Sequence, residues 1–346
     1  MNNLKKVGLS ALAGSLVAFS ANAVELTVTG KTELTYSGTT DGNNGNKFGN
    51  GNAITFSGSG DMNGYTATYT AVIQDMGQAS SNTSETFASS SLLIDMGDMG
   101  TLSYHDATQD VGIGKIDDLM PSSYEEPWDG VDFTPTTAGS GVVGRVDSGQ
   151  TGFNYNVSAG MATINVGYSP AGSQAAVDDG GMSGDVSNAV VASAQSSQSI
   201  AIQADVMDGL MIFGGVGDKG GPATATTSYE DDHSTYGLKY TMGAITAGYQ
   251  HSEIDDGAAG SVAADTETDA FGVAFAINEN LTISYGYQET EVGSGNTDQE
   301  LTGYAIGYSA GGMSIKAQHN EGEDAVTVGS TSVEMERTEI LVGFAF

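Results

Sequence analysis

Between residues 106 and 132 eight carboxylates, Asp106, Asp110, Asp117, Asp118, Glu125, Glu126, Asp129 and Asp132, stand against one cation, Lys115. One charge sign packed into a short stretch raises the local concentration of counter-ions in any narrow, low-dielectric passage that it lines. Pro121 and Pro127 stiffen the middle of the segment, because each fixes its own φ. Trp128 is the only tryptophan of the chain. It either wedges this segment against a wall or sits at a lipid interface, and the sequence leaves both open.

Catalytic constellations are missing from the sequence. His105, His233, His251 and His319 are the four histidines, and none falls in an H-E-x-x-H or other zinc spacing. Asp232 precedes His233, but no serine elbow accompanies the pair. The glycine-rich stretch 139–144 lacks a following helix and the lysine of a phosphate-binding loop. The absence of cysteine removes disulfides, thiolate metal sites and a cysteine nucleophile. The chain reads as a non-enzyme.

Three further acidic clusters are Glu230 with Asp231 and Asp232, Glu253 with Asp255 and Asp256, and Glu321 with Glu323 and Asp324. They read first as solvated, mutually repelling surface. The second reading is Ca2+ or Mg2+ held by several carboxylate oxygens between loops and lipid head groups, although no stretch matches an EF-hand.

The elements that must position these residues are strands. Of 346 residues, 43 are Asp or Glu and 10 are Lys or Arg, a formal charge of −33; 50 are glycine. The acidic balance excludes nucleic acid, whose phosphates need clustered Lys and Arg. Charged residues make up 15%, below the ordinary ~25%. Apolar and polar residues alternate almost throughout. In 281–288 Leu281, Ile283, Tyr285 and Tyr287 oppose Thr282, Ser284, Gly286 and Gln288. In 65–74 Tyr65, Ala67, Tyr69, Ala71 and Ile73 oppose Thr66, Thr68, Thr70, Val72 and Gln74. Each is a strand with one apolar and one hydrated face.

Connections alternate as well. Seven short Asn, Asp or Gly turns fall near 61–64, 97–100, 159–161, 207–209, 242–243, 277–280 and 309–312. Eight longer polar segments lie between them, at about 37–50, 75–87, 106–149, 170–197, 218–232, 253–268, 291–298 and 321–333. Fifteen connections join sixteen antiparallel strands of about nine or ten residues, the pattern of a transmembrane β-barrel. Closure is required because an open edge in lipid leaves backbone groups unpaired. At about sixteen strands the interior is too wide for side chains to fill and becomes an aqueous channel. Tyr65, Phe275 and Tyr308 lie beside turns, and Tyr36, Tyr104, Tyr168, Tyr249 and Tyr287 near the loop ends, as aromatic girdles would.

The first 23 residues have a basic start at Lys5 and Lys6, an apolar run from Val7 to Phe19, and small residues at Ala21 and Ala23. That layout is a secretory signal peptide, which leaves 24–346 as the barrel. Basic residues are few enough to place one by one. Lys31, Lys239, Lys316 and Arg337 share parity with the polar faces of their strands, and Arg145 lies where the third long segment returns to the wall. Five inward cations facing the acidic segment would create a transverse field; local pairing, such as Lys31 with Glu33 or Arg145 with Asp147, is the alternative.

The chain ends Ile340-Leu-Val-Gly-Phe-Ala-Phe346. Leader, sixteen alternating strands, a long third loop and a terminal Phe together resemble the general-diffusion porins of Gram-negative bacteria, in style those of alphaproteobacteria. The resemblance covers essentially all of 24–346. It implies that the third loop, about 106–149, folds into the barrel and narrows a pore. It also implies that Phe346 is read by the outer-membrane assembly machinery. The surroundings would be outer-membrane lipid and lipopolysaccharide, the assembly a homotrimer. The function expected is a water-filled, weakly cation-selective channel for small hydrophilic solutes, with no cofactor. A substrate-specific channel and an exported structural or adhesive β-protein are the alternatives.

Overall fold

The computed structural model describes residues 25–39, 46–74, 89–105, 110–128, 131, 152–170, 174–176, 182–184, 193–194, 196–220, 222–223, 230–255, 265–292, 298–323 and 334–346. The leader, residues 1–23, lies outside them.

Sixteen strands form the wall. They are β1 (Glu25–Thr39), β2 (Phe48–Met62), β3 (Tyr65–Gln74), β4 (Ser89–Asp95), β5 (Thr101–His105), β6 (Gly152–Ala159), β7 (Ala162–Ser169) and β8 (Ser197–Met207). The second half is β9 (Leu210–Gly220), β10 (Glu230–Met242), β11 (Ile245–Asp255), β12 (Thr266–Asn278), β13 (Leu281–Val292), β14 (Gln299–Ala310), β15 (Met313–Glu323) and β16 (Met335–Ala345). Each pairs antiparallel with the next, and β1 pairs with β16 to close the barrel. Two short ladders, 174–176 with 182–184 and 193–194 with 222–223, lie outside the wall. No α-helix occurs among the described residues.

The seven short turns fall where the Asn, Asp and Gly signals place them. In the first, Asn63 (φ 57°) and Gly64 (φ 93°) supply two successive left-handed residues, the requirement of a two-residue hairpin that follows the strand twist. Strands β8–β16 run for 11–13 residues, longer than the nine or ten expected. Their ladders continue past the apolar band into acidic loop-side rungs such as Asp232 opposite Asp255 and Glu300 opposite Glu323.

Period-two alternation sets the two faces. Leu26, Val28 and Leu34 of β1 point outward, as do Ile283 and Tyr285 of β13 and Tyr304 and Ile306 of β14, and all are exposed. An apolar surface of that extent is incompatible with water and suits lipid. Inward positions carry hydroxyls and amides. On the wall of β2 and β3, Ser57 bonds Thr70 at 3.3 Å and Ser59 bonds Thr68 at 2.8 Å.

The C-terminus completes the closure. Gly30 N–H donates to the Phe346 carbonyl at 2.7 Å, and Phe346 N–H donates to the Gly30 carbonyl at 2.9 Å. The Phe346 ring lies over Gly30 so closely that a Cβ there would meet Cε2 at 2.4 Å. Gly30→Val is therefore expected to displace the terminal ring and to reduce the fraction of chain that migrates as a folded, heat-modifiable barrel. An unchanged folded fraction would remove this contact from the closure.

Candidate functional site

The third long connection enters the barrel. Its described part, 110–128 and 131, is tied to inward-pointing side chains of the wall in sequence order. Gly112 N–H donates to Asn154 Oδ1 of β6 at 2.9 Å, and Ile113 N–H to Ser199 Oγ of β8 at 3.0 Å. Gln250 of β11 donates its amide to the carbonyls of Ile116 (2.8 Å) and Asp117 (2.9 Å), while its Oε1 accepts from Leu119 N–H at 3.1 Å. Ser123 N–H donates to Ser284 Oγ of β13 at 2.8 Å, and Glu125 N–H to Gln318 Oε1 of β15 at 3.2 Å. Asn320 Nδ2 of β15 donates to the Glu126 carbonyl at 2.9 Å. Neutral amides and hydroxyls thus satisfy the backbone groups that an irregular segment would otherwise leave open.

Two apolar islands reinforce these bonds. Near the root, Ile113 and Ile116 pack on Ala201 of β8 and Phe213 of β9, with Leu119, Met120 and Met211 at the margin. Further along, Trp128 and Val131 pack on Leu301 of β14 and Met335 of β16, all four buried. Trp128 is therefore the internal wedge; the lipid-interface alternative is removed, because Leu301 and Met335 lie on the lumen side of the wall. Burying apolar side chains in an otherwise hydrated lumen stabilises the loop by roughly 1.5–3 kcal/mol for each large residue.

Between the islands the segment reverses at 122–125. Ser122 Oγ donates to the Glu125 carbonyl at 2.6 Å and accepts from Tyr124 N–H at 3.3 Å, which fixes a tight turn with Tyr124 at its tip. The Tyr124 hydroxyl donates to Glu339 of β16, and Arg337 binds the same carboxylate. Arg337 Nε also donates to Ser37 Oγ of β1 at 3.1 Å. Lys316 Nζ lies 5.3 Å from the centre of the Tyr124 ring, a cation–π contact.

The named acidic residues divide accordingly. Asp110, Asp117, Asp118, Glu125 and Glu126 are half-buried on the internal segment, and Asp118 Oδ1 caps Met120 N–H at 3.2 Å. Asp106, Asp129, Asp132 and Arg145 lie outside the described residues. Lys31 points inward on β1 and pairs with Glu33 at 3.2 Å. Lys239 points inward on β10, with Gly248 as its cross-strand partner. Lys316 and Arg337 stand at the loop tip. Of the five cations expected on the wall, the four that are described are thus distributed over β1, β10, β15 and β16, and two of them touch the loop's own anchor.

Several contributors carry no motif. Glu339 was readable only through its shared parity with Arg337. Gln250, Gln318, Asn320 and Ser284 look like any polar inward residue of a hydrated wall. Leu301, Met335, Ala201 and Phe213 did leave a signal: apolar residues at inward positions, against the prevailing alternation, mark where something covers the wall. Among the described residues no three His, Asp or Glu gather as a metal site. His251 with Asp269 (3.0 Å) and His319 with Glu321 (3.1 Å) are pairs only. Asp256 and Asp324 of the acidic clusters lie outside the described residues.

A closed sixteen-strand antiparallel barrel with an inward-folded third loop has the architecture of an outer-membrane porin. Among solved structures it is similar to outer-membrane expressed OmpT of Vibrio cholerae, with a TM-score of 0.60 and 13% identity over 94% of this chain and 99% of that one. The trimer form of in-vitro folded OmpT gives a TM-score of 0.61 at 13% identity, covering 94% of this chain and 100% of that one. A variant of Rhodobacter blastica porin gives 0.56 at 15% identity, covering 94% and 100%. No protein-family model matches the sequence, and no curated protein matches it.

Proposed function

We propose that the chain is an outer-membrane porin: a water-filled channel for passive diffusion of small hydrophilic solutes, with a weak preference for cations and no catalytic role. The observation that carries this reading is the third loop seated inside a closed sixteen-strand wall, leaving its passage between that loop and a hydroxyl-lined face. Inward Thr27, Ser57, Thr70, Ser91 and His105 stand opposite one another across β1–β5. Such a face exchanges hydrogen bonds with water and polar solutes and has no dense ladder of one charge sign for a single ligand.

Charge supports the cation preference. The described loop carries five carboxylates against Lys115, and the chain as a whole carries −33. In a narrow passage such a surplus raises cation occupancy. Residues 1–23 as a cleaved leader, Phe346 as the signal for the assembly machinery, a setting of lipid and lipopolysaccharide, and a homotrimer complete the proposal. The trimer form known for OmpT supports the last of these. In a planar bilayer under a salt gradient, the refolded protein is expected to give large ohmic steps and a reversal potential toward cations. Reversal toward anions would sink the charge argument, and no current from a folded barrel would sink the channel.

Ca2+ or Mg2+ between the acidic outer loops and lipid head groups belongs to the same proposal. Chelation with EDTA in lipopolysaccharide-containing membranes is then expected to lower the thermal unfolding midpoint, and indifference to chelation would remove the metal.

A further inference from the structure

Four glycines form one level row across the inner wall. Gly248 of β11 is the cross-strand partner of Gly272 of β12, Gly272 of Gly286 of β13, and Gly286 of Gly303 of β14. All four are inward positions, and none has the left-handed φ that calls for glycine. Glycine inside a strand weakens it and frequently marks close approach of another backbone. Four in succession on adjacent strands call for a reason other than strand formation.

The reason lies directly above them. A Cβ at Gly248 or at Gly272 would come 2.9 Å from Pro121 Cδ. At Gly286 it would come 2.9 Å from Pro127 Cδ, and at Gly303 2.7 Å from Pro127 Cα. Pro121 and Pro127 therefore each span two neighbouring glycines. The rungs on either side are not empty: Gln250, Ala270, Gln288 and Leu301 border the row on one side, and Thr246, Ala274, Ser284 and Ala305 on the other. The row is a shallow trough with side-chain rims, and Pro121 and Pro127 lie in it.

We propose that this glycine trough is the size determinant of the pore: its depth sets how far the third loop stands out from the wall into the lumen. The proposal rests on the channel reading above. Carbon atoms in contact settle about 3.5–4.0 Å apart. A methyl group at 286 or 303 therefore lifts Pro127 by roughly 1 Å, and a valine lifts it further. The wall itself gives little, because its strands are held by ladders on both sides. The displacement is passed to the loop and taken from the open cross-section.

The test is single-channel conductance with polyethylene-glycol exclusion on the full-length mature protein. Gly286→Ala is expected to lower conductance measurably, and Gly286→Val with Gly303→Val at least twofold, with a smaller exclusion cut-off and unchanged heat-modifiable migration. Pro127→Ala in the Gly286→Ala background is expected to restore conductance, which a general loss of stability would not allow. If the valine variant does not fold, Pro121→Ala with Pro127→Ala serves instead, and the loop settling deeper is expected to raise conductance. Unchanged or opposite conductance in a folded variant overturns the trough while leaving the channel reading intact. Absence of current from the folded wild-type barrel overturns both.

Discussion

Trp128→Ala is expected to destabilise the loop-seated state by about 3–5 kcal/mol and to turn a steady current into a flickering one. Trp128 is 5% exposed, Val131 0%, Leu301 1% and Met335 4%, so the indole fills the centre of an enclosed apolar island. Truncation removes its transfer free energy and opens a cavity beside a water-filled lumen. The ladder hydrogen bonds of β14 and β16 are untouched, so the barrel still assembles and still migrates as a heat-modifiable species. What is lost is the attachment of the loop past Pro127, and that shows as frequent partial closures. Because Trp128 is the only tryptophan, its fluorescence reports this site alone. In the wild type, emission should be blue-shifted and insensitive to brominated lipids, since the ring faces the lumen side of the wall. Strong quenching by brominated lipid, or a steady wild-type current in Trp128→Ala, would dismiss the wedge.

Glu339→Ala attacks the tip of the same loop. Its carboxylate accepts from the Tyr124 hydroxyl and from Arg337, and the side chain is 9% exposed. Removing a buried carboxylate from a guanidinium costs about 3–5 kcal/mol where water is excluded. The adjoining lumen is hydrated and the Arg337 side chain is 20% exposed, which pulls the expectation to the lower end of that range. Tyr124→Phe removes one hydrogen bond to a charged group and is expected to cost about 1.5–3 kcal/mol. A double-mutant cycle of Tyr124→Phe with Glu339→Ala isolates the coupling, because each single substitution removes the hydrogen bond between the two side chains. Loop release should again appear as noisy current. Glu339→Gln should also weaken cation preference by removing one inward negative charge. Additive effects of the two substitutions would mean that the tip is held by something else.

Much of the architecture was legible from residues alone. Short Asn, Asp and Gly turns located one end of every hairpin, and period-two alternation gave the inward face of β1, β10, β15 and β16 correctly. A wall with one side in lipid and the other in water leaves no freedom in register, since a one-residue slip would put Thr and Lys into lipid. Strand length was less legible. Hydrogen-bond ladders continue beyond the apolar band, and nothing in the residue pattern marks where pairing stops.

The loop's seat was hidden for a different reason. Gly248, Gly272, Gly286 and Gly303 are 14 to 24 positions apart in sequence and become one row only when four strands pair in a particular register. Gln250, Ser284, Gln318 and Asn320 have the same chemistry as residues that merely face water. Trp128 could not be assigned to lipid or lumen, because both environments suit an indole.

The sequence by itself determined the strand count, the two faces, the closed antiparallel wall and the acidic character of the third loop, all properties of local period and composition. Tertiary structure decided where that loop lies, which residues anchor it, and that Lys316 and Arg337 serve its tip. The physical reason is that alternation is enforced residue by residue by lipid and water, whereas a seat is a match of shape between segments far apart in the chain.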